Sequence, residues 1–329
     1  MNIDLLRRTP DLRGVADVRL MILEDGPGRG QRMLVGRNAV GLGFEIAVDR
    51  GFDVSALSFK GLNIGWHSPT QMVFPAHDPD SEEGLGFFRN FDGFMVTCGL
   101  DQYSRPHEID TAHFNYPNLN TRRLPQHGRI HAEKARILRY GVDIETATIC
   151  CEAVVRQASV FGETLELHRR IIVPVFDGAL AIEDTVTNRT FRPSDHAILY
   201  HLNVGYPFLD ESLTVSGLPE TVVDEINSTS PIPSDDFGEK VDLVDSRITP
   251  HGATISLHSA SQGLTLSLEY DQTVLPRFAI WRAYQSGVFA LGVEPRSDLR
   301  PSEDGRLASG ESRRYCLRFG FEQNSVPKH

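Results

Sequence analysis

Two titratable residues lie among apolar neighbours, where a side chain could exchange a proton with a bound molecule. His201 lies in the segment LYHLNVGYP of residues 199–207, and Glu294 ends the apolar run of ALGVEPR at 290–296. An imidazole titrates near neutrality, and desolvation raises the pKa of a carboxyl group until it becomes a better base. Taken singly, such a histidine is more often a hydrogen-bonded core residue, and such a glutamate a solvated strand end. Each is a candidate for donating or accepting a proton, but neither justifies a function by itself.

Several other residues allow both a binding and a structural interpretation. Arg50 in DRGFD and Arg89 in FFRNF either form ion pairs or bind an anionic oxygen. Trp66 and Trp281 either stack on a sugar ring or fill the core, and core packing is the commoner role of tryptophan. His127, in PQHGR, is predicted to lie on a turn that presents its ring outward. None of these residues identifies a function by itself.

Familiar metal and cofactor motifs are incomplete in this sequence. His127 and His131 have the i, i+4 spacing of a helical metal pair, but Pro125 and Gly128 oppose a helix there and no acidic third ligand stands at a recognisable spacing. The glycines of residues 26–30 lack the third glycine of a dinucleotide loop and favour a solvent-exposed hairpin. Nucleophile-elbow, phosphate-loop and zinc-protease motifs are missing too. We therefore expect neither a metal nor a cofactor.

Charge balance and cysteine content limit the partners and the compartment. The chain has 33 basic and 44 acidic residues, a net charge of −11, which repels the phosphate backbone of nucleic acid. Its 4 cysteines include no CxxC motif, which argues against a disulfide framework or a zinc ribbon. The first residues lack the apolar core of a signal peptide, and no apolar run approaches the roughly 18 residues of a membrane span. These features predict a cytoplasmic protein with reduced thiols, no nucleic-acid partner and no membrane partner.

Alternation of apolar and polar residues is the dominant pattern along the chain. Residues 264–270 (LTLSLEY) and 315–321 (YCLRFGF) place an apolar side chain at every second position, as a half-buried antiparallel strand requires. Further short β-rich runs, bounded by turn residues, lie at 164–173, 178–187, 254–258 and 289–293. A short helix is predicted only near residues 3–8, before Pro10. The pattern therefore predicts an all-β fold, either a large antiparallel β-sandwich or a barrel.

The length of the chain, 329 residues, allows either two domains or one large β unit. No Gly/Ser-rich linker or charge block divides it, and the Pro, Ser and Asp content of residues 228–239 marks a surface loop. We expect a single domain over residues 1–329, with residues 1–30 as an N-terminal extension packed on it. Because outward strand faces look the same toward solvent or a partner, the oligomeric state stays open, with a homodimer as one alternative.

A series of short segments occurs in a characteristic order along the chain. They are FEIAVDRGFD at 44–53, NIGWHSP at 63–69, FMVTCGL at 94–100, QHGR at 126–129, LELHRR at 165–170, IEDTVTN at 182–188, VEP at 293–295 and LASGE at 307–311. From about residue 30 to its end, the chain thereby resembles the aldose 1-epimerase (galactose mutarotase-like) superfamily, and most closely its divergent, uncharacterised aldose-epimerase-like branch. His201 and Glu294 match the catalytic histidine and glutamate of that superfamily. The resemblance implies a galactose mutarotase-like supersandwich.

The resemblance also implies an isomerase that interconverts the anomers of a free or modified monosaccharide. Ring opening requires removal of the C1 hydroxyl proton and protonation of the ring oxygen, which one carboxylate and one imidazolium on opposite sides of the hemiacetal accomplish without metal or redox cofactor. By resemblance, Glu294 is the base and His201 the acid, and His127 holds or polarises the ring oxygen or a neighbouring hydroxyl. The remaining predicted substrate-binding residues are Arg89, Asn203, Trp281 and Arg50.

Two departures from the superfamily pattern indicate a rebuilt substrate pocket. The usual His-Pro-Tyr-Phe-Asn is HLNVGYP at 201–207, and the usual Asn-His-x-x-Gly-Gly is reduced to QHGR. A sugar acid or phosphate would need local arginines in so acidic a chain, and the available ones are Arg89, Arg105, Arg129, Arg282 and Arg296. Two other functions stay open, a non-catalytic carbohydrate-binding or sensing protein and an epimerase or lyase acting at another sugar carbon.

Overall fold

The computed structural model of the chain describes residues 7–9, 11–114, 119–245, 254–298 and 305–323. These residues form mainly β-strands that pair antiparallel, which confirms the predicted all-β fold. Within the described ranges, no helix is long and apolar enough to cross a membrane. In chain order the strands are β1 (Asp17–Ile22), β2 (Arg32–Arg37), β3 (Leu42–Ala47), β4 (Asp53–Phe59), β5 (Leu62–Asn63), β6 (Met95–Leu100), β7 (His107–Asp110), β8 (Thr121–Leu124), β9 (Ala135–Asp143), β10 (Thr148–Ala158), β11 (Thr164–Pro174), β12 (Ala179–Asn188), β13 (Ser194–Asp195), β14 (Ala197–Val204), β15 (Leu213–Ser216), β16 (Lys240–Asp245), β17 (Ile255–Ser259), β18 (Leu264–Tyr270), β19 (Arg277–Ala283), β20 (Ala290–Arg296), β21 (Arg306–Leu307) and β22 (Ser312–Gln323).

Three large sheets make up the sandwich. The back sheet has eight strands in the order β15-β17-β18-β22-β12-β11-β10-β9, and the front sheet has five in the order β16-β19-β20-β14-β6. A third sheet takes β1 to β5 in sequential order, and two short pairs, β7-β8 and β13-β21, lie outside these layers. Side chains along β11 and β12 alternate between buried and half-buried, so the back sheet turns one face to the core.

The predicted strands are present. The run at 264–270 is β18, and the run at 315–321 lies within β22. The other predicted runs overlap β11, β12, β17 and β20. The predicted hairpin at residues 26–30 joins β1 to β2, where the Gly30 amide donates to the Leu23 carbonyl. Period-2 alternation was a sufficient signal because most of these strands bury one face only.

Helical structure is sparse. Among the residues that the structure describes, helical structure comprises α1 (Ser81–Gly84), a single turn, α2 (Glu220–Ser228) and residues 7–8, with single 3-10 turns at Leu12–Gly14, Gly86–Arg89, Ala112–Phe114 and Ile130–Ala132. The sequence did not predict α2, because its inward face consists only of Val222, Val223 and Ile226, too few residues for a periodic signal. Of the predicted helix at residues 3–8, residues 7 and 8 are helical and residues 3–6 lie outside the described residues.

A buried ion cluster joins the three sheets. Arg169 on β11 places its Nη2 atom 2.6 Å from Oδ2 of Asp184 on β12 and its Nη1 atom 2.6 Å from Oδ1 of Asp53 on β4. Tyr200 on β14 donates its hydroxyl to Asp184 at 2.8 Å. Because successive residues of a strand point to opposite faces, Tyr200 in the core directs His201 to the outer face of the front sheet.

Candidate active site

His201 and Glu294 lie side by side on neighbouring strands of the front sheet. β14 and β20 pair antiparallel with Asn203 opposite Gly292, and two residues further this register brings His201 opposite Glu294. The Nε2 atom of His201 is 3.3 Å from Oε1 of Glu294, and the two side chains are only 5 % and 7 % exposed. The two groups therefore address a ligand from the same side, not from opposite sides of it.

Asn203 sets the orientation of the His201 ring. Its Nδ2 group donates to the carbonyl oxygens of Gly93 at 3.0 Å and of His201 at 3.2 Å, so its Oδ1 atom is left as the acceptor. That oxygen is 2.6 Å from Nδ1 of His201, which must therefore carry a proton and donate it. In the neutral imidazole the lone pair is then on Nε2, the nitrogen that faces Glu294.

Burial shifts the pKa values of both members of the pair toward the neutral forms. Loss of hydration lowers the pKa of His201 to about 4, although the bond to Asn203 opposes the shift. The same loss raises the pKa of Glu294 to about 8, against the attraction of Arg296. At neutral pH the carboxyl group keeps its proton and the imidazole is uncharged, so the pair holds one exchangeable proton.

Aromatic rings enclose this pair. The rings of Phe91 and Trp281 lie 4.7 and 5.4 Å from that of His201, and Trp66 contacts both of them. Gly292 lies opposite Trp281 and leaves room for these rings, because a Cβ atom there would be 3.1 Å from Cε1 of His201. Apolar rings beside a proton-transfer pair are a combination typical of small-molecule sites, and we refer to the region bounded by these rings, His201 and Glu294 as the cleft.

His127 enters the cleft from a turn, as predicted. The turn is tight, with a φ of 58° at His127 and 72° at Gly128, where a Cβ atom would lie 2.1 Å from the carbonyl oxygen of Gly99. The expectation that this turn presents the ring outward is wrong. The ring lies 4.6 Å from that of Phe87 and 5.8 Å from that of His201, at right angles to the latter, because the turn is bonded onto the end of β6.

The hydrogen bonds of His127 leave it neutral. Its Nδ1 atom is 2.8 Å from the carbonyl oxygen of Tyr103 and therefore carries the proton, while Nε2 is 3.1 Å from the amide nitrogen of Gln126 and accepts. Burial lowers the pKa of His127 to about 3, and the nearby His201 adds to the shift. His127 is thus an uncharged polar group at the edge of the cleft.

Two further charged residues lie beside the pair: Glu239, which the sequence did not indicate, and Arg296, which it indicated only as one of five arginines available to an anionic sugar. Arg296 follows Glu294 by two positions on β20 and so shares its face, with its guanidinium 5.7 Å from the centre of the Tyr103 ring. Glu239 accepts a hydrogen bond of 2.9 Å from Nε1 of Trp281. Period-2 spacing from Glu294 could have indicated Arg296, but no local signal connects Glu239 with a tryptophan on another strand.

Arg50 and Arg89, both predicted to bind substrate, lie apart from the pair. Arg50 is 3 % exposed and donates to the Asn90 carbonyl and, at 3.2 Å, to the sulfur of Met72, so it anchors the loop before β6. The Arg89 side chain is 54 % exposed and bonds Glu82 at 2.9 Å. The Arg50 guanidinium bonds a backbone carbonyl, and the Arg89 guanidinium forms an ion pair at the surface. The sequence could not decide between such structural roles and the binding of a substrate anion.

The spacing of His127 and His131 arises from packing. The two imidazoles lie 4.6 and 4.9 Å from the ring of Phe87, which His127 reaches from its own tight turn and His131 from the 3-10 turn at Ile130–Ala132. Over the parts of the chain that the structure describes, no group of three or more His, Cys, Asp or Glu side chains is arranged to hold a metal ion. All 4 cysteines are free thiols.

The chain matches a family model and is similar in fold to several solved structures. A family model described as a domain of unknown function (DUF4432) matches residues 28–314. The structure is similar to a candidate aldose 1-epimerase from Klebsiella pneumoniae subsp. pneumoniae, with a TM-score of 0.80 and 20% identity over 94% of this chain and 84% of that one. No curated protein matches the sequence.

Two further solved structures share the architecture at greater distance. A galactose mutarotase-like protein from Clostridium acetobutylicum has a TM-score of 0.65 and 13% identity, over 94% of this chain and 99% of that one. A galactose 1-epimerase from Lactobacillus acidophilus has a TM-score of 0.59 and 13% identity, with the same coverage of both chains. These similarities establish the galactose mutarotase-like β-sandwich that the sequence predicted.

Proposed function

The chain belongs to the DUF4432 family, a domain of unknown function, and we propose that its cleft interconverts the anomers of a free or modified monosaccharide. The observation that carries this proposal is the buried contact of 3.3 Å between His201 and Glu294, with one exchangeable proton between them. The fold shared with a galactose 1-epimerase supports the class of reaction, although fold alone never determines function.

Anomer exchange needs a base for the C1 hydroxyl and an acid for the ring oxygen. Both oxygens are bonded to C1, so they are close enough together for two adjacent side chains to reach them. In the ring-opening step the Glu294 carboxylate takes the hydroxyl proton while the His201 imidazolium gives its Nε2 proton to the ring oxygen, and the bond between C1 and that oxygen breaks. Rotation about C1–C2 and the reverse transfers close the ring as the other anomer.

The proton count of the pair matches this cycle. Ring opening starts with an ionised pair, carboxylate and imidazolium, and ends with a neutral pair, carboxylic acid and imidazole. Both states contain the same single proton, and the neutral one is the ground state of the buried pair at neutral pH. No proton has to enter from solvent during turnover, which suits side chains that are 5 % and 7 % exposed.

The surrounding residues take supporting roles in this proposal. Asn203 keeps the Nδ1 proton of His201 occupied, so that only Nε2 transfers a proton. His127, neutral and 5.8 Å from the His201 ring, bonds a hydroxyl next to the reacting carbon when that hydroxyl replaces Gln126 as the partner of Nε2. Trp281 and Phe91 present ring faces against which a sugar can pack.

Exchange spectroscopy by NMR at the anomeric protons tests the proposal. Across a panel of aldoses and their acidic and phosphorylated forms, the wild-type protein should accelerate exchange of at least one sugar. Glu294→Gln and His201→Gln should each lower that rate by about a hundredfold or more, the usual contribution of a general acid or base. Glu322→Gln, on the exposed end of β22, is the matched control for loss of a carboxylate.

Two results would replace the proposal by another function. Tight sugar binding without acceleration, unaffected by Glu294→Gln, would identify a non-catalytic binding protein. Incorporation of deuterium from solvent at a ring carbon would identify an epimerase or lyase acting elsewhere on the sugar, because ring opening exchanges no carbon-bound hydrogen.

A further inference from the structure

Arg296 is a cation without a protein counter-ion in the candidate active site. Over the described part of the chain its guanidinium makes no hydrogen bond or ion pair, and its buried Nε atom has no partner. The guanidinium lies 5.7 Å from the centre of the Tyr103 ring, whose hydroxyl is already committed to the Ser297 carbonyl at 2.5 Å. A half-buried guanidinium left in this state costs free energy unless something compensates its charge.

Arginines close to Arg296 form ion pairs with carboxylates. Arg277, directly opposite on β19, lies 3.0 Å from Asp245 and 3.4 Å from Asp298. Arg282, further along the same strand, lies 2.6 Å from Asp242. The front sheet therefore neutralises its other arginines with local carboxylates and leaves the one beside the proton-transfer pair open.

The neighbour that could have served as counter-ion is Glu294, on the same face of β20. Two residues of a strand are about 6.7 Å apart between Cα atoms, so the two side chains are within electrostatic reach. Glu294 nevertheless holds its proton at neutral pH and is needed for proton transfer. Its carboxyl group cannot neutralise Arg296 and act on a hemiacetal at the same time.

Charge is also ordered along β20. Toward one end of β20, Gly292 lies opposite Trp281, and Trp281 donates a hydrogen bond to the carboxylate of Glu239. Arg296 lies four residues further along the same strand. The proton-transfer pair lies between this negative end and this positive end. A ligand with one anionic end would be oriented by such a cleft, because Glu239 repels that end and Arg296 attracts it.

We propose that Arg296 binds an anionic oxygen group, carboxylate or phosphate, on the sugar whose anomeric carbon lies at His201 and Glu294. The catalytic part of this inference rests on the proposed function, whereas the binding part rests on Arg296 alone. A planar guanidinium matches both kinds of anion through paired N–H donors. The substrate class is therefore a sugar acid or a sugar phosphate.

Isothermal titration calorimetry separates binding from turnover. The probes are glucose, galactose and mannose, with the uronic acid and the 6-phosphate of each. Wild-type protein should bind an anionic form at least about tenfold more tightly than the neutral parent, as a charge-assisted hydrogen bond predicts. Arg296→Gln should remove that preference without weakening the neutral sugar, Arg296→Lys should restore part of it, and Arg318→Gln, exposed on β22 of the back sheet, should leave it intact.

The outcomes distinguish this inference from the proposed function. A preference for the uronic acid or for the 6-phosphate supports it and identifies the anion. Neutral sugars binding as tightly as the anions, no binding of any anion, or an equal loss for all probes in Arg296→Gln would overturn it. Exchange of neutral sugars, together with no Arg296-dependent preference for any anion, would keep the proposed function and reject the role of Arg296. Anion binding that depends on Arg296, with no exchange of any sugar, would support the role of Arg296 and reject the proposed function.

Discussion

The Oδ1 atom of Asn203 lies 2.6 Å from Nδ1 of His201 and thereby decides which imidazole nitrogen faces Glu294. The two residues are separated by one position on β14 and share its outer face. The amide is itself held by the carbonyl oxygen of Gly93, so its orientation does not depend on the ligand. The reactive nitrogen of the candidate acid is therefore set before any sugar binds, which reduces the reorganisation required for proton transfer.

Replacing Asn203 by aspartate should change the pH dependence of exchange. A carboxylate bonded to Nδ1 favours the imidazolium and raises the pKa of His201, so the acidic limb of the pH–rate profile should move to higher pH. Asn203→Ala should lower kcat about tenfold to a hundredfold, by analogy with the loss of a residue that orients a ligating histidine. Exchange rates measured by NMR between pH 3 and pH 9 test both predictions. If the acidic limb of Asn203→Asp stays where it is in the wild-type protein, the positioning role of Asn203 is contradicted.

The pH profile of the wild-type protein follows from the pair itself. Below a pH of about 4, His201 gains a second proton for the pair and no base remains; above about 8, Glu294 loses the shared proton and no acid remains. The profile of kcat/KM should therefore be bell-shaped between these limits. It is measured after subtraction of the uncatalysed exchange at each pH. A rate that rises steadily through pH 8 would show that the pair does not share one proton.

Trp281 provides a separate test of sugar packing. Its ring stands 5.4 Å from that of His201, and Trp281→Ala removes a ring face while leaving the proton-transfer pair in place. KM should rise about tenfold with kcat largely kept, and Trp281→Phe should lose less, because the aromatic face is retained. Phe176→Ala, at an exposed position, controls for loss of an aromatic side chain. An unchanged KM in Trp281→Ala would place the sugar elsewhere.

The sequence predicted the strands more completely than it predicted the arrangement of the site. Alternation in 264–270 predicted β18 because that strand buries one face, whereas in β14 every residue is buried and alternation disappears. His201 and Glu294 were nevertheless singled out as candidates, because a titratable side chain inside an apolar run is visible without knowing the strand register, and the family resemblance then favoured them as a catalytic pair. Their contact was not visible, since it depends on the pairing of β14 with β20.

Arginines show the limit of such inference most clearly. From the sequence, Arg50, Arg89 and Arg296 are equally available to bind an anion, yet one is buried against backbone, one is ion-paired at the surface and one lies beside the proton-transfer pair without an ion-pair partner among the described residues. The difference lies in which carboxylates tertiary folding brings near them. Glu82 reaches Arg89 by a left-handed turn in α1, where its φ is 53°, a conformation that no residue pattern there announces.

The Arg169 cluster should connect the stability of the sandwich with the geometry of the cleft. Arg169→Met keeps much of the apolar volume but leaves Asp53 and Asp184 buried without their cation. Breaking a buried ion pair in this way costs about 3–5 kcal/mol of the free energy of unfolding. Tyr200 is bonded to Asp184 and directly precedes His201 on β14. The exchange activity of Arg169→Met should therefore also fall, even at urea concentrations below the midpoint of its unfolding. Urea unfolding and NMR exchange measure the two effects, with Arg156→Met, whose side chain is 61% exposed, as the control. A loss below about 1 kcal/mol, the value of an ordinary surface pair, would show that the cluster does not stabilise the sandwich in this way.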